Sequence, residues 1–162
     1  MSKLNKTKVN DLPEDVRTRM VTELNGRLAD CIDMFNQAKQ AHWNLKGPNF
    51  IALHELLDEV AEHLEESGDT IAERAVILGG FAQGSTQDIG KNTTLTAYPA
   101  GLTQQNPVVD HVSTQLADFG AKLRKAIDVA DAAGDKDTAD LFTEVSRVVD
   151  KDVWFLEAHL QS

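Results

Sequence analysis

The sequence has little cysteine and no long apolar run. Its single cysteine, Cys31, cannot pair within the chain, which excludes a disulfide scaffold and fits a reducing compartment. No apolar run approaches the ~20 residues that span a membrane, and the first residues lack the apolar core of a secretory signal. We therefore expect a cytoplasmic protein.

Basic residues are fewer than acidic ones: the chain has 16 lysines and arginines and 26 aspartates and glutamates, and its net charge is −10. This balance disfavours nonspecific attraction of the body of the protein to nucleic acid. The first ten residues differ, because they hold no acid and carry Lys3, Lys6 and Lys8. Such a segment is either an interaction arm or a solubilising terminus. We expect a flexible lysine-bearing tail over residues 1–12 and one helical domain over residues 13–162.

Apolar residues recur every three or four positions in four segments, as in amphipathic helices. Pro13 favours the start of the first helix, and the stretch LKGPN ends it. Asn49 is expected to cap the second helix, which Gly79-Gly80 would terminate. Asn106-Pro107 would open the third helix, and the turn AAGDKD separates it from the last. No strand pattern competes, so the sequence predicts an all-α four-helix bundle.

The connection over residues 81–106 is 26 residues long and shows no sustained period. A loop of this length is unusual in a compact domain. It is needed, however, when the second and third helices of a bundle run parallel, because a 30-residue helix is about 45 Å long. The length also leaves room for a short extra helix. This topology is that of a ferritin-like bundle with one long crossover.

The predicted second helix has an acidic face. At about 100° per residue, six residues fall within an arc of roughly 100°. The apolar residues Leu57, Leu64 and Ile71 form a separate face, so the helix already has a core side. A solvated surface and a metal site both remain open for the acidic face. Its members are His54, Asp58, Glu62, Glu65, Asp69 and Glu73.

Imidazole with carboxylate is a ligand mixture that suits iron and other divalent transition metals. His42 lies close to the chain reversal and so can approach His54. Asp58 and Asp69, however, are separated by about 16 Å along the helix, whereas two-metal sites need ions only about 3.5–4 Å apart. A two-fold axis could place Asp69 and Glu73 of one chain opposite His54 and Asp58 of another. The spacing predicts a site shared between subunits.

Two alternative metal motifs are missing. No glutamate is followed three residues later by histidine, which excludes the Glu-x-x-His pairs of di-iron sites built inside one bundle. A zinc-protease motif is also excluded, because after His54-Glu55 the position of its second histidine is occupied by Asp58.

The segments KQAHWNLKGPNF, HELLD and DTIAERAVILGG, with YP and DTAD further on, resemble the Dps family of ferritin-like DNA-binding proteins from starved cells. The resemblance covers about residues 16–157. It implies a hollow homo-dodecamer built from two-fold dimers. Such a shell binds two Fe(II) ions per interface site, oxidises them preferably with hydrogen peroxide and stores ferric mineral, which protects DNA from oxidative damage. The implied activity is that of a ferroxidase.

The resemblance also implies roles for individual residues. The metal and catalytic ligands would be His42, His54 and Asp58 of one subunit with Asp69 and Glu73 of its two-fold mate. Trp43 would lie beside the iron and take up oxidising equivalents, and packing at the dimer contact remains an open role for it. Cavity carboxylates for mineral nucleation would be Glu62, Glu65 and Glu66, and Asp140 in DTAD would line a pore.

Lys3, Lys6 and Lys8 resemble the tails of DNA-binding members, which implies nonspecific, salt-dependent DNA association. Two other functions remain as alternatives to the iron-storing ferroxidase. One is a structural DNA-compacting shell with an idle metal site, and the other is a generic helical scaffold.

Overall fold

The computed structural model describes residues 4–8 and 11–161, so Lys3 lies outside the described residues. Within these ranges no β-strand forms. The predicted all-α bundle with a short helix in its one long crossover is confirmed. Five helices make up the described chain: α1 (Glu14–Asn44), α2 (Phe50–Ile77), α3 (Thr86–Asn92), α4 (Gln105–Ala132) and α5 (Lys136–Ala158).

The core lies between two helical hairpins, because α1 packs mainly along α2 and α4 mainly along α5. The apolar stripes of the four long helices fill it. Leu24, Leu57 and Phe119 are fully buried there, as are many other aliphatic residues. Burying each such side chain stabilises the fold by about 1.5–3 kcal/mol. The stripes therefore explain why the acidic face of α2 is left outside the core.

The α1–α2 turn is pinned to the start of α4. The Lys46 N–H donates to the Thr103 carbonyl at 2.8 Å, and the Gln105 N–H donates to the Lys46 carbonyl at 3.0 Å. Asn49 occupies the N-cap position of α2, but its side chain makes no capping hydrogen bond. Its backbone has φ −101° and ψ 29° rather than the extended values typical of a capping residue. Its N–H instead donates to Gln105 Oε1 at 2.9 Å.

The crossover is anchored on α1 by polar side chains. Asp30 is fully buried and accepts hydrogen bonds from the Thr94 N–H at 2.7 Å and the Thr94 hydroxyl at 3.0 Å. Gln37 donates to the Thr96 carbonyl at 3.0 Å. The short helix α3 begins at a capping serine, Ser85, which accepts from the Asp88 N–H. The long connection thus follows the body of the bundle.

The C-terminal end of α2 meets the N-terminal residues. Gly79 has φ +89°, a left-handed conformation that favours glycine, and a Cβ there would lie 2.5 Å from the Asn5 carbonyl oxygen. The Asn5 N–H donates to the Gly79 carbonyl at 2.7 Å. Arg17 Nη1 donates to the Leu78 carbonyl at 3.0 Å. Part of the expected tail therefore contacts the bundle, and its flexibility stays a prediction.

The second hairpin follows the sequence closely. The helix α4 begins at Gln105, one residue before the predicted start. Gly134, at φ +79°, makes the turn, and the Asp135 carboxylate caps α5 by accepting from the Thr138 N–H at 3.1 Å. None of the helices in the described part of the chain is long and apolar enough to cross a membrane.

Candidate metal site

His42 and His54 face each other across the α1–α2 turn. His42 lies in the last turn of α1, and His54 lies in the second turn of α2. Their rings are stacked, with centroids 3.7 Å apart and an interplanar angle of 18°. The sequence expectation that the chain reversal brings the two histidines together matches this geometry.

Each histidine is held by the backbone of the other. His42 Nδ1 lies 2.7 Å from the His54 carbonyl oxygen, and His54 Nδ1 lies 2.9 Å from the His42 carbonyl oxygen. A carbonyl only accepts, so both Nδ1 atoms carry the proton and donate it. In the neutral rings Nε2 then keeps its lone pair. Metal-binding histidines are usually oriented by this kind of hydrogen bond on the other ring nitrogen.

Asp58 lies one turn after His54, with its Oδ1 4.0 Å from His42 Nδ1. Lys39 forms an ion pair with the same oxygen. The pKa of Asp58 is lowered, first because Lys39 donates a hydrogen bond to the carboxylate, and also because of the charges of His42, Lys39 and His54. Partial burial opposes this shift. The carboxylate is therefore ionised at neutral pH, as a metal ligand must be.

Sequence reasoning did not identify Lys39 as part of the site. A signal was present, because Lys39 lies three residues before His42 in KQAH and so shares its face of α1. Phe50 was also missed. Its ring lies against His54, with centroids 5.0 Å apart.

Asp69 and Glu73 are exposed on α2, away from the two histidines. Asp69 lies eleven residues beyond Asp58, or about 16 Å along the axis. Within the ranges that the structure describes, no three histidine, cysteine or acidic side chains are grouped to hold a metal ion. The single chain places His42, His54 and Asp58 near one another without arranging them as a complete metal site, and it leaves Asp69 and Glu73 apart.

The surface around Asp69 is an apolar groove. A cavity of about 400 Å³ opens between α1, α2 and the start of the crossover. A smaller group of exposed apolar residues, Val76 and Ile77, continues beside Glu73. The two remote carboxylates thus border an apolar surface. Besides Asp69, the cavity is lined by Leu28, Ile32, Phe35, Leu64, Glu65, Gly68, Ala72, Ala82 and Gly84.

Two large apolar residues near the histidines in sequence are also exposed. Trp43 is 69% exposed and Ile51 is 60% exposed. Exposed large side chains grouped on one surface often mark an interaction site. Trp43 therefore contributes little to the core of its own chain.

The other residues singled out in the sequence lie on the surface. The carboxylates Glu62, Glu65 and Glu66 are exposed on α2, and Asp140 is exposed near the start of α5. Lys6 and Lys8 are exposed as well. The roles expected for these residues stay predictions.

A helical bundle with a short helix in its crossover and a histidine–carboxylate half-site on its first hairpin defines a ferritin-like protein. The model of the ferritin-like domain matches residues 21–162. The DNA protection during starvation protein of Agrobacterium fabrum is 50% identical over 159 residues, which are 98% of each chain. The chain therefore belongs to the Dps (DNA protection during starvation) family.

Two solved structures agree with this assignment. Dps from Microbacterium arborescens, in its high iron form, is 34% identical with a TM-score of 0.85, over 98% of this chain and 99% of that one. An archaeal Dps homologue from Halobacterium salinarum is 25% identical with a TM-score of 0.93, over 99% of this chain and 89% of that one.

Proposed function

We propose that the protein is an iron-oxidising and iron-storing shell subunit. Twelve copies, arranged as two-fold dimers, would enclose a cavity. Fe(II) is the substrate, hydrogen peroxide is the preferred oxidant, and ferric mineral in the cavity is the product. The activity would keep peroxide and Fe(II) from damaging DNA.

The observation that carries this proposal is the half-site at the α1–α2 turn. His42 and His54 each present Nε2 while a backbone carbonyl holds Nδ1. Asp58 adds an ionised carboxylate, so the half-site offers nitrogen and oxygen ligands of the kinds that suit Fe(II).

The second half of the site would come from a neighbouring subunit. Asp69 borders the apolar groove and Glu73 borders the exposed Val76 and Ile77, as expected for carboxylates at a subunit contact. A two-fold contact repeats every interaction, so one dimer would contain two equivalent sites. Each site would hold two Fe(II) ions.

The electron balance explains a protective role. Two Fe(II) ions supply the two electrons that reduce one hydrogen peroxide molecule to two hydroxide ions, and two Fe(III) ions result. Because both electrons are delivered at one site, no hydroxyl radical is released. Trp43, next to His42 in sequence, would accept oxidising equivalents that are not consumed by this two-electron reaction.

The relatives support the same function. The Agrobacterium fabrum protein is named for DNA protection during starvation, and the Microbacterium arborescens protein was solved in a high iron form. By the same analogy Glu62, Glu65 and Glu66 would nucleate mineral in the cavity. Asp140 would line a pore for iron entry.

DNA association through the N-terminal tail is part of the proposal. Lys6 and Lys8 are exposed and free to approach phosphate, whereas the net charge of −10 repels DNA. Few phosphate contacts per tail give weak, salt-dependent binding, and the many tails of a dodecamer would strengthen it by effective concentration. We therefore place the protein in the bacterial cytoplasm or nucleoid.

Iron oxidation tests the main proposal. Fe(II) is added anaerobically to the full chain, hydrogen peroxide follows, and formation of Fe(III) is read by absorbance. His54→Ala and Asp58→Ala variants should lose most of the rate, while His159→Gln, a change at the end of α5, should keep it. If the variants oxidise iron as fast as the wild type, the site is idle and the protein is a structural shell.

DNA association is tested separately. Mobility shifts are measured at low and physiological salt for the full chain and for a chain lacking residues 1–10. The full chain should bind at low salt and release DNA steeply as salt rises, and the truncated chain should not bind. Binding that is indifferent to salt would contradict the electrostatic tail.

A further inference from the structure

Outside the proposed iron site, α2 and α5 are joined by a second histidine–carboxylate pair. His63 Nδ1 lies 3.0 Å and 3.2 Å from the two carboxylate oxygens of Asp152. The Asp152 side chain is only 2% exposed, whereas the His63 side chain is 36% exposed. A buried carboxylate thus holds one side of a ring whose other side reaches solvent.

This arrangement fixes the protonation pattern of His63. An ionised carboxylate accepts, so Nδ1 carries the proton and donates it to Asp152. In the neutral ring Nε2 keeps its lone pair, and it lies on the side of the ring turned away from the buried carboxylate. Metal-binding histidines are commonly oriented by a carboxylate in this way.

A second candidate ligand lies one turn earlier on the same helix. Glu59 precedes His63 by four residues, which places the two side chains as neighbours on the surface of α2. Glu59 is exposed, and its charge is among the causes that raise the pKa of Asp152, after burial.

We propose that His63 and Glu59 bind a divalent transition metal ion, with Asp152 as the buried group that orients the imidazole. Water would complete the coordination, since no three histidine, cysteine or acidic side chains of the described residues are grouped so that they could hold a metal ion by themselves. The site is separate from the iron half-site, because five residues rotate His63 by about 140° around α2 from Asp58. Lys151, whose charge also acts on Asp152, disfavours tight binding.

The test uses zinc as the probe. A full-length His54→Ala/Asp58→Ala background removes the half-site, so the outcome is independent of the proposed iron chemistry. Zn(II) binding is measured by calorimetry in this background and after adding His63→Gln, Glu59→Gln or Asp152→Asn. We expect His63→Gln to abolish the site, Glu59→Gln to weaken it and Asp152→Asn to lower the affinity by about 10–100-fold.

His159→Gln, a change to another histidine, serves as the control and should leave zinc binding unchanged. Glu59→Gln replaces an exposed side chain and keeps the test valid if either change at the buried pair prevents folding. In a zinc-soaked crystal the anomalous signal should lie about 2.0–2.1 Å from His63 Nε2. Unchanged zinc binding in the His63 and Glu59 variants, or zinc located elsewhere, would overturn the proposal.

Discussion

His42 and His54 each donate from Nδ1 to the backbone carbonyl of the other, at 2.7 Å and 2.9 Å. These hydrogen bonds therefore couple the conformation of the α1–α2 turn to the orientation of the two imidazoles. Any change that moves the turn also moves both Nε2 atoms. The segment KQAHWN thus has a structural role as well as a chemical one.

Two substitutions at His42 should separate these roles. His42→Ala removes the ligand and one hydrogen bond, and we expect it to cost about 1 kcal/mol of stability. In His42→Asn the side-chain amide can occupy the place of Nδ1–H and should retain most of that stability. Both variants should lose metal binding. Thermal unfolding and Zn(II) calorimetry check this, and an Asn variant as destabilised as the Ala variant would contradict it.

Lys39 should compete with a metal ion for Asp58, because its ammonium group is paired with that carboxylate. Lys39→Met should tighten Zn(II) binding at neutral pH. It should also raise the pKa of Asp58 toward its usual range, since the Lys39 hydrogen bond is the main cause of the lowering. The zinc affinity of the variant should therefore begin to fall at a higher pH as the solution is acidified.

Calorimetry over a pH series measures both effects of Lys39→Met. Lys91→Met, on the exposed surface of α3, is the matched control and should behave as the wild type. Weaker zinc binding in Lys39→Met would mean that Lys39 orients Asp58 rather than competing for it.

His111 should make stability depend on pH. Burial lowers its pKa, with the charge of Asp110 opposing the shift. As pH falls through about 6.5, the unfolded chain takes up a proton before the folded chain does, so the stability falls. The loss is complete below the folded pKa. His111 Nε2 donates to Gln37 Oε1 at 3.0 Å. His111→Gln should keep a hydrogen bond to Gln37 and should flatten the pH dependence of the melting temperature between pH 7 and 5.

The matched control for His111 is His159→Gln, which should retain the wild-type pH profile. Melting temperatures are compared as differences between each variant and the wild type at every pH. An identical slope in His111→Gln and the wild type would show that His111 does not contribute to the pH dependence.

The Arg74–Asp135 pair should be important for joining α2 to α5. Arg74 Nη2 lies 2.6 Å from Asp135 Oδ1, and both side chains are largely buried. Arg74→Met leaves a buried carboxylate without its cation and should lower the free energy of unfolding by about 3 kcal/mol. Arg124→Met breaks the exposed pair with Asp150 and should cost at most about 1 kcal/mol. Equal losses in denaturant unfolding would contradict this difference.

The fold followed from the sequence because burial dictates it. Stripes that contain Leu24, Leu57 and Phe119 required four helices with one apolar side each. The length of the connection over residues 81–106 required a crossover, and α3 occupies the room it leaves. These features depend on spacing and chain length alone, which the sequence displays directly.

The local hydrogen bonds were harder to predict from the sequence. Asn49 is a favoured capping residue, but the bonds between the α1–α2 turn and Gln105 set its backbone conformation instead. Contacts between residues distant in sequence decide such details. The same holds for Asn5 and Gly79, and for His63 and Asp152, which no periodic pattern links.

The site was predictable in part. The approach of His42 to His54 follows from the chain reversal, and the separation of Asp58 from Asp69 follows from helical rise. The exchange of Nδ1 hydrogen bonds depends on the shape of the turn and could not be read from residue types. The combination of the histidine half-site with Asp69 and Glu73 stays a prediction, because it needs a second subunit.

Subunit complementation tests the central claim most directly. One variant carries His54→Ala, and the other carries Asp69→Ala with Glu73→Ala. Each should be inactive alone. In a mixed dimer, one site combines the His54→Ala half with the Asp69→Ala/Glu73→Ala half and is inactive. The other site combines the two unchanged halves and is active. A 1:1 co-assembly should therefore recover about a quarter of the wild-type iron oxidation, since half of the dimers are mixed. Co-assemblies as inactive as their parents, or an active Asp69→Ala/Glu73→Ala parent, would contradict a site shared between subunits.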